Sequence, residues 1–542
     1  MSIAAASSDP APTHAETWWK GAAIYHIYLR SFKDSNNDGI GDLNGIREKL
    51  DYISRLNMEA IWISPFFTSP MADFGYDISD FCNVDPTFGT LDDFRLLLNE
   101  AHSAGLKIII DQVYSHSSDQ HKWFVESKSS RDNEKADWYV WADPRPDGTP
   151  PNNWLSVFGG SAWAWCTRRQ QYYLHNFLDR QPDLNLHNRD VQDALLAASR
   201  FWLDMGVDGF RLDALNFAMH DQSLRDNPAR TQFKWPPRIP HDFQQHIHNM
   251  SQPETLEFVK RVRAMTDEYP ARFTVAEIGG PEADREMHDY IAGNQHLNTA
   301  YSFDFLYAEK LTADLVAKTL APWTSGGTGN WPSWAFSNHD APRALSRWKG
   351  NCPDRQYAQL LALLLASLRG NIFVYQGEEI AMLQSVLPLS ALKDPEAIAS
   401  YPNTLGRDGA RTPMLWVGGH ENRGFSQAEG WLPADCQQPA GTSVSEQDTQ
   451  ADSVLNFYRM VMNTRRNSAV LRLGDMHVET NGDLLTINRA HQGQTARCQI
   501  NLGDGKIANV MQTDGPLPDI TVGEFDAQSG SLGPFSGILC LG

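Results

Sequence analysis

The chain is 542 residues long, too long for one core, and because single barrels of about 250 residues are common, two or three modules are expected. Hydrophobic residues at 41% and charged residues at 21% exclude a disordered or fibrous chain, and 46 Lys+Arg against 66 Asp+Glu leave a net charge of −20. A surface that acidic repels phosphate backbones and anionic lipid, which argues against nucleic acid or a membrane surface as partner.

Residues 1–17 contain no basic segment followed by an apolar one, so they read as a disordered lead-in rather than a signal peptide. From there, short runs rich in β-branched and aromatic residues alternate with helical patterns. The runs are AAIYHIYLRSF (22–32), EAIWISP (59–65), KIIIDQV (107–113), GFRLDAL (209–215), FTVAEIG (273–279), TAYSFDF (299–305), WAFSNHD (334–340) and NIFVYQGEE (371–379). Several are apolar on both faces, as parallel strands buried between a core and a ring of helices must be. Helices are expected at 91–104, 191–205 and 357–369. Eight alternating units predict an α/β fold, a (β/α)8 TIM barrel.

The spacing is uneven. Residues 114–208 are far more than one βα unit needs, and they hold the turn-rich DPRPDGTPPNNW (143–154), so a small inserted B domain is expected after the third strand. Further insertions follow the fourth strand (221–253, with RTQFKWPPRIP) and the eighth (381–451). From about 470, DLLTINRA, ARCQINL and ITVGEF are short alternating strands with Gly-Asp turns, which predicts a C-terminal antiparallel β-sandwich. The expected division is a lead-in at 1–17, barrel at 18–113, B domain at 114–183, barrel again at 184–469 and β-domain at 470–542. Cys82, Cys166, Cys352, Cys436, Cys498 and Cys540 form no CxxC pair, so isolated reduced thiols in a cytoplasmic protein are expected. The most apolar run, 360–368, is about half of what a bilayer requires.

In a barrel of this kind, chemistry sits where strands end. Asp111, Asp213, Glu277 and Asp340 each end a strand. For any one of them, a helix cap or turn former is the simpler explanation. Together they point to a site. Arg211 shares the inward face with Asp213 by period-2 alternation, and a guanidinium there should lower that carboxyl's pKa. Glu277, in TVAEIG, has apolar neighbours and no adjacent cation, which should raise its pKa. With Arg211 and Arg343 as the nearby cations, a purely structural salt-bridge network leaves Glu277 uncovered. An ionised and a protonated carboxyl about 5 Å apart form the working pair of a retaining glycosidase.

DQVYSH (111–116), GFRLDALNF (209–217), TVAEIGG (274–280) and AFSNHD (335–340) resemble four ordered motifs of glycoside hydrolase family 13, the α-amylase family; QPDLN (181–185) and GRDGARTPM (406–414) resemble its α-glucosidase and oligo-1,6-glucosidase branch. The resemblance covers about residues 18–540 and implies Asp213 as nucleophile, Glu277 as acid/base and Asp340 as the acid that holds sugar hydroxyls. It implies Asp73, Tyr76, His116, Arg211, His339 and Arg407 as the lining of a terminal-glucose subsite. Phe158 and Phe177 are candidates for its wall, with a place in the core as the alternative. The small Ala214 after the nucleophile implies a preference for α-1,4 links.

DSNNDGIGD (34–42) sets Asp34, Asn36, Asp38, the Ile40 carbonyl and Asp42 at alternate positions round a glycine, as in the first half of an EF-hand. A plain Asn/Asp/Gly turn has the same composition. Similar loops in related α-glucosidases imply structural Ca2+ (or Mg2+) here, and no organic cofactor. The expectation is therefore a retaining exo-acting α-glucosidase on small α-glucosides, with transglucosylation and unknown oligomeric state. The alternatives are a sucrose-acting or isomerising relative, an inactive binding subunit, and a metal-dependent barrel hydrolase, against which stands the lack of a His-rich cluster at the strand ends.

Overall fold

All eight runs form strands: β1 (Ala23–Ile27), β2 (Ala60–Ile63), β3 (Lys107–Val113), β4 (Gly209–Asp213), β5 (Phe273–Ile278), β6 (Thr299–Ser302), β7 (Ser333–Ala335) and β8 (Asn371–Tyr375). They pair in parallel in the order β6-β5-β4-β3-β2-β1-β8-β7. β6 and β7 are the ends of that order, and Ser333 Oγ donates to Thr299 Oγ1 across them at 3.0 Å, drawing the barrel shut. Every residue of β1, β2, β4, β5 and β8 is buried, which is why these runs are mostly apolar, the charged residues of β4 and β5 lying on the face turned into the barrel. This computed structural model describes residues 17–542 except 234–235, 281, 325–329, 405, 435–436 and 512–515; residues 1–16 of the expected lead-in at 1–17, and Cys436, lie outside the described residues.

The helices begin and end where their sequences signal it. Thr90 and Asp93 form a capping box on Leu91–Ser103; Asn188 caps Arg189–Met205, which stops at Gly206 in the left-handed region. Asp354–Ser367 is buried along most of its length.

The insertions rise on the carboxyl side of the barrel. After β3, the helix Lys122–Ser127 is followed by a three-stranded antiparallel sheet in the order Trp141–Ala142, Gln171–Leu174, Trp163–Cys166, with its own core of Val140, Trp154, Ala162, Trp163 and Leu174. The segment after β4 leans on it: Trp154 Nε1 donates to Arg225 O and Asn249 Nδ2 to Asn176 Oδ1, both at 2.8 Å. The long connection after β8 carries Asp394, Arg407 and Arg411 back to the barrel mouth. Past the helices Val454–Asn467 and Ala469–Leu473 comes a five-stranded antiparallel sheet starting at Asp475–Asn481; the ribbon Phe525–Asp526 with Ser531–Leu532 makes a thinner second layer, packed through Leu484, Val510, Leu532 and Ile538. Among the described residues no helix is long and apolar enough to cross a membrane. Cys82, Cys166, Cys352, Cys498 and Cys540 are free thiols.

Candidate active site

The parallel register brings the strand-end residues to one height. Asp111 on β3 pairs with Arg211 on β4, Arg211 with Val275 on β5, and Glu277 with Tyr301 on β6. Arg211 is fully buried, and its Nη1 reaches Asp111 Oδ1 at 2.7 Å and Asp213 Oδ1 at 2.5 Å while Nη2 reaches Glu277 Oε1 at 2.5 Å. Trp62 Nε1 donates to the other oxygen of Asp111 at 2.9 Å. One guanidinium thus ties three carboxyls.

Two sequence-based expectations are corrected here. Glu277 does have a cation beside it: Arg211 pairs with Val275, so Glu277, two residues on and on the same face, lies within reach of the guanidinium. Asp213 is not held low. Burial pushes its carboxyl up to about 7 and Arg211 pulls it back only in part; Glu277 is pushed up to about 7 and Asp111 to about 6, again mainly by burial. Arg343 is no partner of the acids, since its Nη1 and Nη2 donate to the carbonyls of Gln376 and Ala410.

Ala214, directly after Asp213, has φ +40°, a conformation a non-glycine side chain adopts at a cost of about 1–3 kcal/mol. The turn aims its backbone N–H at Glu277 Oε2, 3.2 Å away. Across the mouth, Asp340 Oδ1 accepts from Arg411 Nη2 at 2.7 Å, and Arg407 Nη1 lies 3.6 Å from it. His339 Nε2 is 3.2 Å from Asp340 Oδ2 and also bonds the Tyr76 hydroxyl, whose ring lies parallel to the imidazole. Arg407 is anchored from behind by Asp394 at 2.8 Å and Asp73 at 2.7 Å. Gln181 links Asp73 to His116, at 3.2 and 3.1 Å, and burial holds the His116 imidazole down at about 3, so it is neutral.

These groups surround a cavity of about 400 Å³ lined by Asp73, Tyr76, His116, Phe158, Phe177, Asp213, Glu277, Asp340 and Arg407. Phe158 and Phe177 are therefore wall, not core. Arg211 and His339, expected in the lining, stand behind it: both are fully buried and act on the acids from the rear. Sequence reasoning did not single out Tyr301, Trp62, Gln181, Asp394 or Arg411. Gln181 and Arg411 sit inside motifs already noted, QPDLN and GRDGARTPM; Asp394 has no local signal at all. The outer wall comes from the insertion after β4, with Arg230, Phe233, Ile239 and His241.

The loop after β1 stands apart from this cavity. Asp34 Oδ1 accepts the amides of Asn36 and Asn37 at 3.0 and 2.6 Å and Oδ2 that of Gly39 at 2.8 Å; Asn36 Nδ2 donates to Asp38 Oδ2 at 3.2 Å. Asp38 Oδ1 accepts the Ile40 amide at 2.9 Å, and Asp42 caps the helix Leu43–Arg47 through the Gly45 amide at 2.7 Å. Gly39 has φ +86°, and a Cβ there would meet Glu429 O at 2.2 Å, so the sharp turn needs glycine. Among the described residues no three His, Cys, Asp or Glu side chains converge on a metal position. The donor set is hard oxygen throughout, which suits Ca2+ or Mg2+; Asp34 Oδ1 and both Asp42 oxygens already accept two bonds each, while Asp34 Oδ2 and the two Asp38 oxygens accept one and keep a lone pair.

A parallel barrel with acids at its strand ends around a cavity is an architecture that glycoside hydrolases use. The chain belongs to the alpha-amylase family, whose catalytic domain (Alpha amylase, catalytic domain) matches residues 26–474. It is 51% identical over 495 residues, 90% of each chain, to a probable alpha-glucosidase of Rhizobium meliloti (strain 1021), and 35% identical over 528 residues, 91% of this chain and 93% of the other, to an oligo-1,6-glucosidase of Heyndrickxia coagulans. Among solved structures, an alpha-glucosyl transfer enzyme matches at 46% identity with TM-score 0.91, covering 97% of this chain and 99% of that one. The trehalulose synthase of Pseudomonas mesoacidophila MX-45 matches at 30% and 0.87, covering 98% and 100%. The protein is a glycoside hydrolase of the α-glucosidase and oligo-1,6-glucosidase branch.

Proposed function

We propose that the protein is a retaining, exo-acting α-glucosidase that hydrolyses short α-glucosides by double displacement. The observation that carries this is the single guanidinium bonded to both Asp213 and Glu277. One oxygen of each carboxyl lies 2.5 Å from a different nitrogen of that guanidinium, and Glu277 Oε2 also meets the amide directly after Asp213, so the two carboxyls are close together, which favours the roughly 5–5.5 Å of retaining enzymes over the roughly 6.5–9.5 Å that leaves room for an inverting water. Like charges that close do not both ionise, so near neutrality the pair shares one proton. Asp213 attacks the anomeric carbon as Glu277 passes its proton to the glycosidic oxygen, and the aglycone leaves as an alcohol. A water then gives its proton to Glu277 and its oxygen to the carbon, releasing Asp213.

Asp340, held by Arg411 and His339, is placed to accept from ring hydroxyls, bonds that tighten as the sugar flattens. Asp73 and Arg407, braced by Asp394, close the inner end, which suits a terminal glucose and an exo mode. Beyond the acids the wall with Phe233 and Ile239 offers an aglycone site from which an alcohol can replace water, so transglucosylation accompanies hydrolysis; the likeness to an alpha-glucosyl transfer enzyme supports this, and Ala214 supports an α-1,4 lean. Free thiols suit a cytoplasmic location. Proton NMR of p-nitrophenyl α-glucoside turnover, in which the aglycone is not a sugar, is expected to give α-glucose first, and β-glucose as first product overturns retention; maltose is expected to turn over faster than isomaltose, sucrose or trehalose.

Asp34, Asn36, Asp38, the Ile40 carbonyl and Asp42 would hold Ca2+ or Mg2+, whose charge would stiffen the loop after β1 without entering the reaction. Calcium at 100 times its dissociation constant is expected to stabilise the fold by about 2.7 kcal/mol, read as a rise in Tm that EDTA reverses. The Asp38→Ala protein should show no such rise.

A further inference from the structure

Tyr301 sits on β6 opposite Glu277, its register partner on β5. Its side chain is buried and is no part of the cavity lining, so it meets the acids from behind, not the sugar. The hydroxyl oxygen accepts from Arg211 Nε at 3.2 Å and from Nη2 at 3.1 Å. A phenol has one proton, and with its acceptor directions taken that proton goes to Glu277 Oε1, 3.1 Å away. Arg211 Nη2 reaches the same oxygen at 2.5 Å. Oε1 thus accepts one hydrogen bond and lies against a cation, and a carboxylic proton placed on it would point into the O–H and the guanidinium. Oε2 receives the Ala214 amide at 3.2 Å and keeps a lone pair.

We propose that Tyr301 is a positioning residue that keeps the acidic proton of Glu277 on Oε2, the oxygen on the Asp213 side of the carboxyl, where it can be handed to the departing glycosidic oxygen. The inference rests on Glu277 being the acid/base. A hydroxyl donating to Oε1 also favours the ionised carboxylate, so it opposes the burial that pushes Glu277 up and readies the group to recover a proton in the second step. Without the hydroxyl, only the guanidinium contact still opposes a proton on Oε1, the bias toward Oε2 weakens, and only one of the two placements is productive.

Tyr301→Phe keeps the ring beside Trp62 and Phe373 and removes only the hydroxyl. For maltose, kcat is expected to fall about tenfold, a part of the roughly 10²–10⁴ that general acid–base catalysis supplies, with KM within about twofold. With p-nitrophenyl α-glucoside, whose leaving group needs no proton, the loss should stay under about threefold. The alkaline limb of kcat/KM for maltose should move to higher pH. Equal losses on both substrates with an unmoved alkaline limb would mean that the hydroxyl only props Arg211, and overturn the inference. As a second variant, 3-fluorotyrosine at position 301, a more acidic donor of nearly the same shape, should move the limb to lower pH; no movement counts against the proposal. Glu277→Gln assayed alongside separates the two readings. Azide should restore its turnover of the aryl glucoside. Absence of that rescue overturns the acid/base reading and the inference with it, whereas rescue together with an unmoved limb in Tyr301→Phe overturns the inference alone.

Discussion

Replacing Asp213 by Asn is expected to lower kcat for maltose by about 10⁴-fold or more while leaving the fold at least as stable as before. The reasons for the two outcomes are separate. The amide is a poor nucleophile, so the glycosyl-enzyme bond does not form. Its carbonyl oxygen can still accept from Arg211 Nη1, which now bonds Asp213 at 2.5 Å, so the guanidinium is not orphaned. The change also removes one of several carboxyls crowded in a buried space, where Asp111 and Asp340 raise the pKa of Asp213, and Asp213 and Asp340 that of Glu277. Relief of that crowding is the kind of stabilisation that active sites forgo for function, and about 1 kcal/mol is expected from it. Turnover is measured on fresh protein with Asp213→Ala as a control against deamidation back to Asp. Retention of more than about a hundredth of the wild-type rate in both variants would remove Asp213 from the chemistry.

The strand count and the excess loops were legible because both are local. A strand buried on both faces is mostly apolar, with its few buried charged residues gathered toward the carboxyl end, and an insertion simply adds residues between two such runs. The acids at the strand ends were legible for the same reason. What could not be read was who shares a cation with whom. Arg211 was assigned to Asp213 because they are two residues apart, yet its contact with Glu277 depends on the register Val275↔Arg211 between strands far apart in the chain. Arg343 stands three residues after Asp340, but it opens the helix Ala344–Trp348 and turns its guanidinium onto backbone carbonyls. The real partner of Asp340, Arg411, arrives from the connection after β8. Tyr301 was inside a recognised strand, and nothing in TAYSFDF tells that its hydroxyl ends at Glu277 and not in the core. Electrostatics failed in the same direction: adjacency suggested a low pKa for Asp213, whereas burial, a property of the assembled barrel, outweighs the neighbouring charge.

That balance makes Arg211→Met the most disruptive single change expected in the barrel. Met fills the space and supplies no charge, so Asp111, Asp213 and Glu277 lose the bonds at 2.7, 2.5 and 2.5 Å that now hold them. Breaking a buried ion network by removing one side costs about 3–5 kcal/mol, and here one side serves three acids. The loss should depend on pH with a definite sign. Each of these carboxyls has a folded pKa raised above its ordinary value, to about 6 for Asp111 and about 7 for Asp213 and Glu277. A raised acid favours the folded state fully below its unfolded pKa, near 4, and that contribution is lost as pH rises through the folded value. In wild type the losing window runs from roughly 4 to 7. Without the guanidinium's downward pull all three values climb, and the window extends to higher pH. The Tm difference between wild type and Arg211→Met should therefore be smallest at about pH 5 and widen toward pH 8. At neutral pH Asp213 would hold its proton, so kcat should fall about 10³-fold or more and partly recover as the pH is raised. Arg211→Lys keeps a charge but cannot bond three carboxyls with a planar fork, and should fall between the two. A Tm difference that stays flat from pH 5 to pH 8 would mean that the three acids do not depend on Arg211 for their charge, and the shared-cation account of the site would fail.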